Sequence, residues 1–155
     1  MKRVSLWWAV GIGLVIALAL LTVGQGYAKD KDHKGTCSLA TLKGRYLFAA
    51  SGTILPPAFG VKEPTPGADA GYHVFNGDGT GTDIVTVRVG TTIVLENFVT
   101  PTSYTVNENC TGTLTVPNGP SFDMFIGLNG DFISTISTAP PGNYVSRIEQ
   151  RVPSK

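Results

Sequence analysis

The sequence predicts an all-β fold: a single small antiparallel barrel of about eight strands in mostly up-and-down order, with a β-sandwich as the alternative. Three observations carry this. Short runs of alternating or β-branched residues are each closed by Gly, Pro, Asn or Asp. No segment places apolar residues at helical spacing over eleven positions. The connections are short and hairpin-like apart from one Pro-rich stretch early in the chain, which suits a meander better than a layered sandwich. Seventeen threonines beyond residue 28 add to the strand bias.

Taken in order, the first strand runs from Lys43 to Thr53, and Ile54 to Ala70 reads as a loop because it holds Pro56, Pro57, Pro64 and Pro66. Gly71 to Phe75 enters the Asn76-Gly77-Asp78-Gly79 turn and Thr82 to Val89 leaves it; such pairs supply the positive φ that tight hairpins need. Thr92 to Val99 follows Gly90-Thr91. Pro101 is expected to end that run before Ser103 to Asn107. Thr111 to Val116 precedes the turn at Pro117-Asn118-Gly119-Pro120, and Asn129-Gly130 joins Phe122–Leu128 to Phe132–Ser137. Pro140-Pro141-Gly142 leads into the last strand, Tyr144 to Val152.

The 155 residues hold 12 Lys and Arg against 11 Asp and Glu, a balance that argues against an electrostatic nucleic-acid binder. The composition divides sharply. Lys2 and Arg3 precede an almost wholly apolar run from Val4 to Val23, and Gly26-Tyr27-Ala28 sets small residues where a signal peptidase cuts. Residues 1–28 therefore read as a signal peptide, with an uncleaved anchor as the alternative because a run of about 20 apolar residues can span a bilayer. Both tryptophans, Trp7 and Trp8, fall in this segment. Residues 29–36, with Lys29-Asp30-Lys31-Asp32-His33-Lys34, read as a charged flexible leader, and 37–155 as the β-barrel domain. The expected location is outside the cytoplasm, periplasmic or extracellular, and any membrane contact is expected only through the N-terminal segment if it stays uncleaved.

An exported chain whose only thiols are Cys37 and Cys110 has one intrachain pairing open to it, so a Cys37–Cys110 disulfide is expected. No metal site is expected, since two distant cysteines and the histidines His33 and His73 give no chelating spacing. No cofactor is implied either.

The stretches Cys37-Ser38, Leu42-Lys43-Gly44-Arg45-Tyr46, Phe75-Asn76-Gly77-Asp78-Gly79 and Tyr104-Thr105-Val106-Asn107, followed by Cys110-Thr111-Gly112, resemble a family of small exported bacterial proteins of unassigned function. That resemblance implies a bacterial origin and one small β domain, and it carries no activity. A second resemblance is to calycin-type barrels, the lipocalins and their relatives, and to the allene-oxide-cyclase-like barrel. Lipocalins open on Gly-x-Trp with a basic residue of the last strand packed over the ring; here Gly44-Arg45-Tyr46 opens the first strand, with Tyr in place of Trp, and Arg147 or Arg151 lies on the last. The resemblance implies that Gly44, Tyr46 and one of these arginines close the barrel.

Several residues have chemistry to offer a ligand. His73 shares a strand face with Phe75 and is suited to act as a base or pocket donor near neutral pH. Arg88, Glu96, Asp123 and Glu149 interrupt otherwise apolar strands, so any that point inward would orient a ligand beside Tyr46. Alternation from Asp83 to Val89 makes Asp83, Val85, Val87 and Val89 the better core face and leaves Arg88 solvated. Asn76 to Asp83 resembles half a calcium loop but has Val87 where the twelfth, acidic ligand belongs, and it reads as a hairpin turn. No Gly-x-Ser-x-Gly motif occurs, so no catalytic residue is assigned.

Three functions fit: an exported barrel holding a small apolar or aromatic ligand, an envelope protein acting by contact through a filled barrel, and a cyclase- or isomerase-like enzyme. The first leads, because the sequence offers a container and no catalytic constellation. It names neither ligand nor oligomeric state.

Overall fold

A computed structural model describes residues 36–139 and 143–153, with Asn143 and Tyr144 described as backbone alone. The signal segment with its anchor alternative, the leader apart from Thr36, and the Pro140-Pro141-Gly142 turn lie outside the described residues.

Eight strands in sequence order close into an antiparallel barrel, so the up-and-down meander is the architecture and the sandwich is excluded. They are β1 (Gly44–Ile54), β2 (Thr65–Phe75), β3 (Thr80–Val89), β4 (Thr92–Val106), β5 (Thr111–Thr115), β6 (Ser121–Ile126), β7 (Phe132–Ala139) and β8 (Asn143–Val152). Closure is made by β1, which pairs with β2 from Gly44–Phe75 to Ile54–Thr65 and with β8 from Arg45–Val152 to Ile54–Asn143.

Two expectations about proline are corrected. The predicted break at Pro101 is absent, and β4 runs through it as one strand of 15 residues. Pro101 pairs with Thr82 of β3, while β4 meets β5 only from Ser103 onward, so the missing N–H costs no rung on that second side. The loop expected to last until Ala70 ends earlier, because β2 begins at Thr65 and contains Pro66. Pro66 contributes the group it retains: its carbonyl accepts the Gly90 N–H at 2.8 Å.

Strand alternation sorts the side chains into an inner and an outer set. Tyr46 and Phe48 of β1, His73 and Phe75 of β2, Phe122 and Met124 of β6 and Ile133 of β7 are buried, whereas Leu47, Phe125, Ile136 and Ile148 stand exposed on the outer wall. The two ends of the barrel differ. At one end the inner set continues into a packed cluster of Leu42, Tyr46, Phe75, Tyr104, Leu114, Met124 and Ile126, with Cys37 and Cys110 among them.

That end is stoppered by the 3₁₀ turn Leu39–Leu42. Cys37 and Cys110 form the expected disulfide with their Cα atoms 5.0 Å apart, and the Cys37 N–H also bonds the Glu108 carbonyl at 3.2 Å. The Tyr104 hydroxyl accepts the Gly77 N–H at 3.0 Å and donates to the Leu39 carbonyl at 3.1 Å. The Tyr46 hydroxyl donates to the Gly130 carbonyl and accepts Arg151 Nε at 3.0 Å and Nη2 at 2.8 Å. Arg151 also donates to the Thr41 carbonyl. Gly44, at φ +140, sits with its missing Cβ 3.7 Å from the Arg151 side chain. Arg151 is therefore the arginine of the closing group, and it acts on the phenol oxygen; its guanidinium carbon is 5.4 Å from the ring centroid.

Candidate functional site

Toward the other end the inner set thins and leaves a cavity of about 560 Å³, partly open to solvent. Its wall is mostly apolar: Ile54, Val85, Val87, Leu95, Phe98, Phe122 and Val145 contribute from the strands, Phe59 from the loop between β1 and β2, and Val116 to Pro120 from the turn between β5 and β6. Leu95 and Phe98 both border it although three positions separate them. A bulge explains this: the β3–β4 register shifts between Val85 and Val87, and Asn97 has φ 46 and donates its N–H to Thr86 Oγ1 at 3.0 Å.

The cavity is polar chiefly where Asp69, Asp83 and Arg147 converge. Strand register brings them together. Ala50 of β1 is the partner of Arg147 on β8 and of Asp69 on β2, and its small side chain lets the guanidinium cross from one strand to the other. Arg147 Nη2 lies 3.2 Å from Asp69 Oδ2 and Nη1 lies 3.6 Å from Asp83 Oδ2. The guanidinium is held between two rings, 4.4 Å from the Phe48 centroid and 4.5 Å from that of Phe122. Arg147 is thus a cavity residue, and of the two arginines named as candidates for closing the barrel only Arg151 does so, which corrects the candidacy of Arg147.

Beyond this group, away from the opening, lies a second buried pair. His73 is the register partner of Asp83, stacks on Phe75 at 3.9 Å between centroids, and shares a hydrogen bond with Thr102 Oγ1 at 3.0 Å. Its Nδ1 stands 3.6 Å from Glu149 Oε2, with both side chains at 0 % exposure. Thr102, His73 and Glu149 thereby share the residue types of a nucleophile, base and orienting acid, but none of the three borders the cavity. A hydroxyl sealed from the cavity meets no substrate there, so no reaction is routed through it.

Asp69 Oδ1, Asp83 Oδ1, Arg147 Nε and Nη1, His73 Nδ1, Thr135 Oγ1 and both Glu149 oxygens are buried without a hydrogen-bond partner in the chain. Interior polar atoms are normally satisfied, and these unmatched ones gather along one stretch of the barrel. Burial drives the Asp83 carboxyl above its ordinary value; Arg147 and then His73 oppose the shift, while Glu149 and Asp69 reinforce it.

The sequence-predicted residues separate cleanly. Tyr46, His73 and Glu149 point inward and are buried, Tyr46 as part of the closed end and the other two behind the cavity. Arg88, Glu96 and Asp123 are exposed on the outside and none borders the cavity: Arg88 is solvated, as alternation from Asp83 to Val89 indicates, and none of the three is placed to orient a ligand there, which corrects their candidacy as ligand-binding residues. Arg88 folds back to donate to the Gly90 carbonyl at 3.1 Å. The turn at Asn76–Thr80 is self-satisfied, with Asp78 Oδ1 accepting from the Thr80 N–H at 2.9 Å and hydroxyl at 2.7 Å; these bonds hold the Asp78 carboxyl below its ordinary value.

Asp69 and Asp83 were missed as site residues. Asp83 carried a signal, since alternation put it on the inner face with Val85 and Val87; Asp69 was hidden by the loop reading of Ile54 to Ala70. Among the described residues, no three of His, Cys, Asp and Glu are arranged to hold a metal ion. Neither protein-family models nor curated proteins match this sequence.

Proposed function

We propose that this chain is an exported binding protein that receives one small, largely apolar ligand through the open end of the barrel. The cavity carries the reading: about 560 Å³ of mostly apolar interior with convergent polar groups at one place is the usual form of a small-molecule site. A barrel working only by surface contact has no need of that volume, and here Phe59, Phe98 and Phe122 line the space without filling it. Export is supported by the basic and apolar N-terminal segment ending at Ala28 and by the disulfide, which suits an oxidising compartment. No observation favours the enzyme reading, because the polar residues singled out for it do not border the cavity.

The test is uptake of the neutral apolar fluorophore N-phenylnaphthylamine by purified mature protein, together with native mass spectrometry of protein isolated from its host. One fluorophore per chain is expected, lost in Val85→Trp, whose indole fills the space beside Asp83 and Arg147. A folded wild-type protein that neither takes up the fluorophore nor carries a co-purified ligand refutes the proposal.

A further inference from the structure

From the balance of charge and of hydrogen-bonding atoms at Asp69, Asp83 and Arg147, we infer that the cavity selects ligands bearing a cationic amine at one end of an apolar body. The inference rests on the reading of the cavity as a ligand site and adds which head group the site takes. Two observations point the same way.

The first is charge. Among the described residues, the ionisable side chains inside the barrel between its closed end and its opening are Asp69, Asp83, Glu149, Arg147 and His73. Of these, the carboxyls of Asp69 and Asp83 and one guanidinium border the cavity itself; with both carboxyls ionised it is short of one positive charge, and the burial that raises the Asp83 pKa is the cost that an incoming cation relieves. Asp83 and Arg147 are only 2 % and 4 % exposed, so bulk solvent screens the imbalance poorly.

The second is the census of unmatched atoms. At the cavity, Asp69 Oδ1 and Asp83 Oδ1 are acceptors without a donor, and both oxygens of Glu149 behind them are in the same state. The donors left over are fewer: Arg147 Nε and Nη1, with the guanidinium clamped between Phe48 and Phe122 and its Nη1 already facing Asp83. An ammonium brings up to three N–H donors and one positive charge and accepts nothing, so it complements both deficits together. A carboxylate would deepen both. An alcohol would answer the hydrogen bonds in part and leave the charge. The apolar wall of Val85, Val87, Leu95 and Phe98 then receives the body of the ligand.

The experiment displaces N-phenylnaphthylamine with n-decylamine, n-decanol and decanoate at neutral pH, on wild type and on Asp69→Asn and Asp83→Asn, with circular dichroism checking each fold. Decylamine is expected to bind about tenfold more tightly than decanol, the size of one charge-assisted contact, with decanoate weakest. In each variant the advantage of decylamine over decanol falls about tenfold. Wild-type protein that takes up the fluorophore but binds decanoate or decanol as well as decylamine overturns this inference and leaves the cavity reading standing. An amine preference unchanged in both folded variants overturns it too, placing the selectivity elsewhere. Wild-type protein that takes up neither the fluorophore nor any of the three compounds overturns the cavity reading itself.

Discussion

Arg147 Nη1 stands 3.6 Å from Asp83 Oδ2, near enough to attract and too far to form a hydrogen bond, with both side chains buried. An ion pair in this state leaves the carboxylate partly uncompensated, and its charge is costly to hold in the interior.

That cost sets a pH dependence. Burial raises the folded-state pKa of Asp83 above its ordinary 3.8, so the folded chain holds this proton more tightly than the unfolded one. The stabilising contribution is complete below the ordinary value and is lost as pH rises through the raised one. Asp83→Asn has no such proton to lose, and Asp69 still pairs Arg147 at 3.2 Å. The melting temperature of the variant relative to wild type is expected to increase from pH 4 to pH 7; a difference that is flat or shrinks with pH contradicts the assignment.

At the closed end, Tyr46→Phe is expected to destabilise the fold by about 1–3 kcal/mol, the cost of leaving buried polar groups unpaired. The phenol links Gly130, Arg151 and, through Arg151, Thr41, so its loss loosens the stopper and leaves the cavity untouched. Urea unfolding measures the first effect and N-phenylnaphthylamine affinity the second; affinity should stay within about twofold.

Two glycines with similar backbones provide a controlled comparison. Gly130 has φ +67, and a Cβ there would lie 2.1 Å from the Thr41 carbonyl oxygen; Gly60 has φ +72 and nothing within 4 Å. Gly60→Ala should cost about 1 kcal/mol from backbone conformation alone. Gly130→Ala should cost ~3 kcal/mol or more, because the stopper must move. Equal thermal shifts in the two variants would show that the turn after β6 does not press on the 3₁₀ turn Leu39–Leu42.

Reducing the Cys37–Cys110 bridge should lower stability by about 4 kcal/mol, the chain-entropy expectation for a loop of this order. The bridged residues are 73 positions apart and lie at the closed end. Denaturant unfolding of oxidised protein against Cys37→Ser/Cys110→Ser reads this directly. Probe affinity should persist wherever the double variant remains folded, since the cavity lies toward the opposite end.

Much of the architecture was legible along the chain. Alternation put Val85 and Val87 on the core face and His73 and Phe75 together on one face, and turn chemistry marked the hairpins at Asn76-Gly77 and Asn129-Gly130. The errors fell where a local rule was overridden by the neighbouring strand. A proline lacks an N–H, which along the chain marks Pro101 as a break, but whether that matters depends on what lies beside it, and β5 starts pairing with β4 only at Ser103. Pro66 carries the same local signal of a loop, and that signal hides Asp69, which lies on β2.

The site was less legible than the fold. Arg88, Glu96, Asp123 and Glu149 look alike in sequence, each a charge in an apolar run, yet only Glu149 points inward. Parity decides inside from outside, and parity holds only until a bulge resets it, as at Asn97.

By itself the sequence determined an all-β meander of short strands, one possible disulfide and an N-terminal segment unlike the rest, because alternation, turn residues and cysteine count are local properties. Only the tertiary structure decided that Arg147 belongs to the cavity and Arg151 to the stopper. The two are four residues apart on one inner face, and what separates their roles is the partner each meets across the barrel: Asp69 and Asp83 for one, Tyr46 and Thr41 for the other. Those meetings follow from strand register and closure, which join residues 64 to 110 positions apart and leave no mark on either stretch alone.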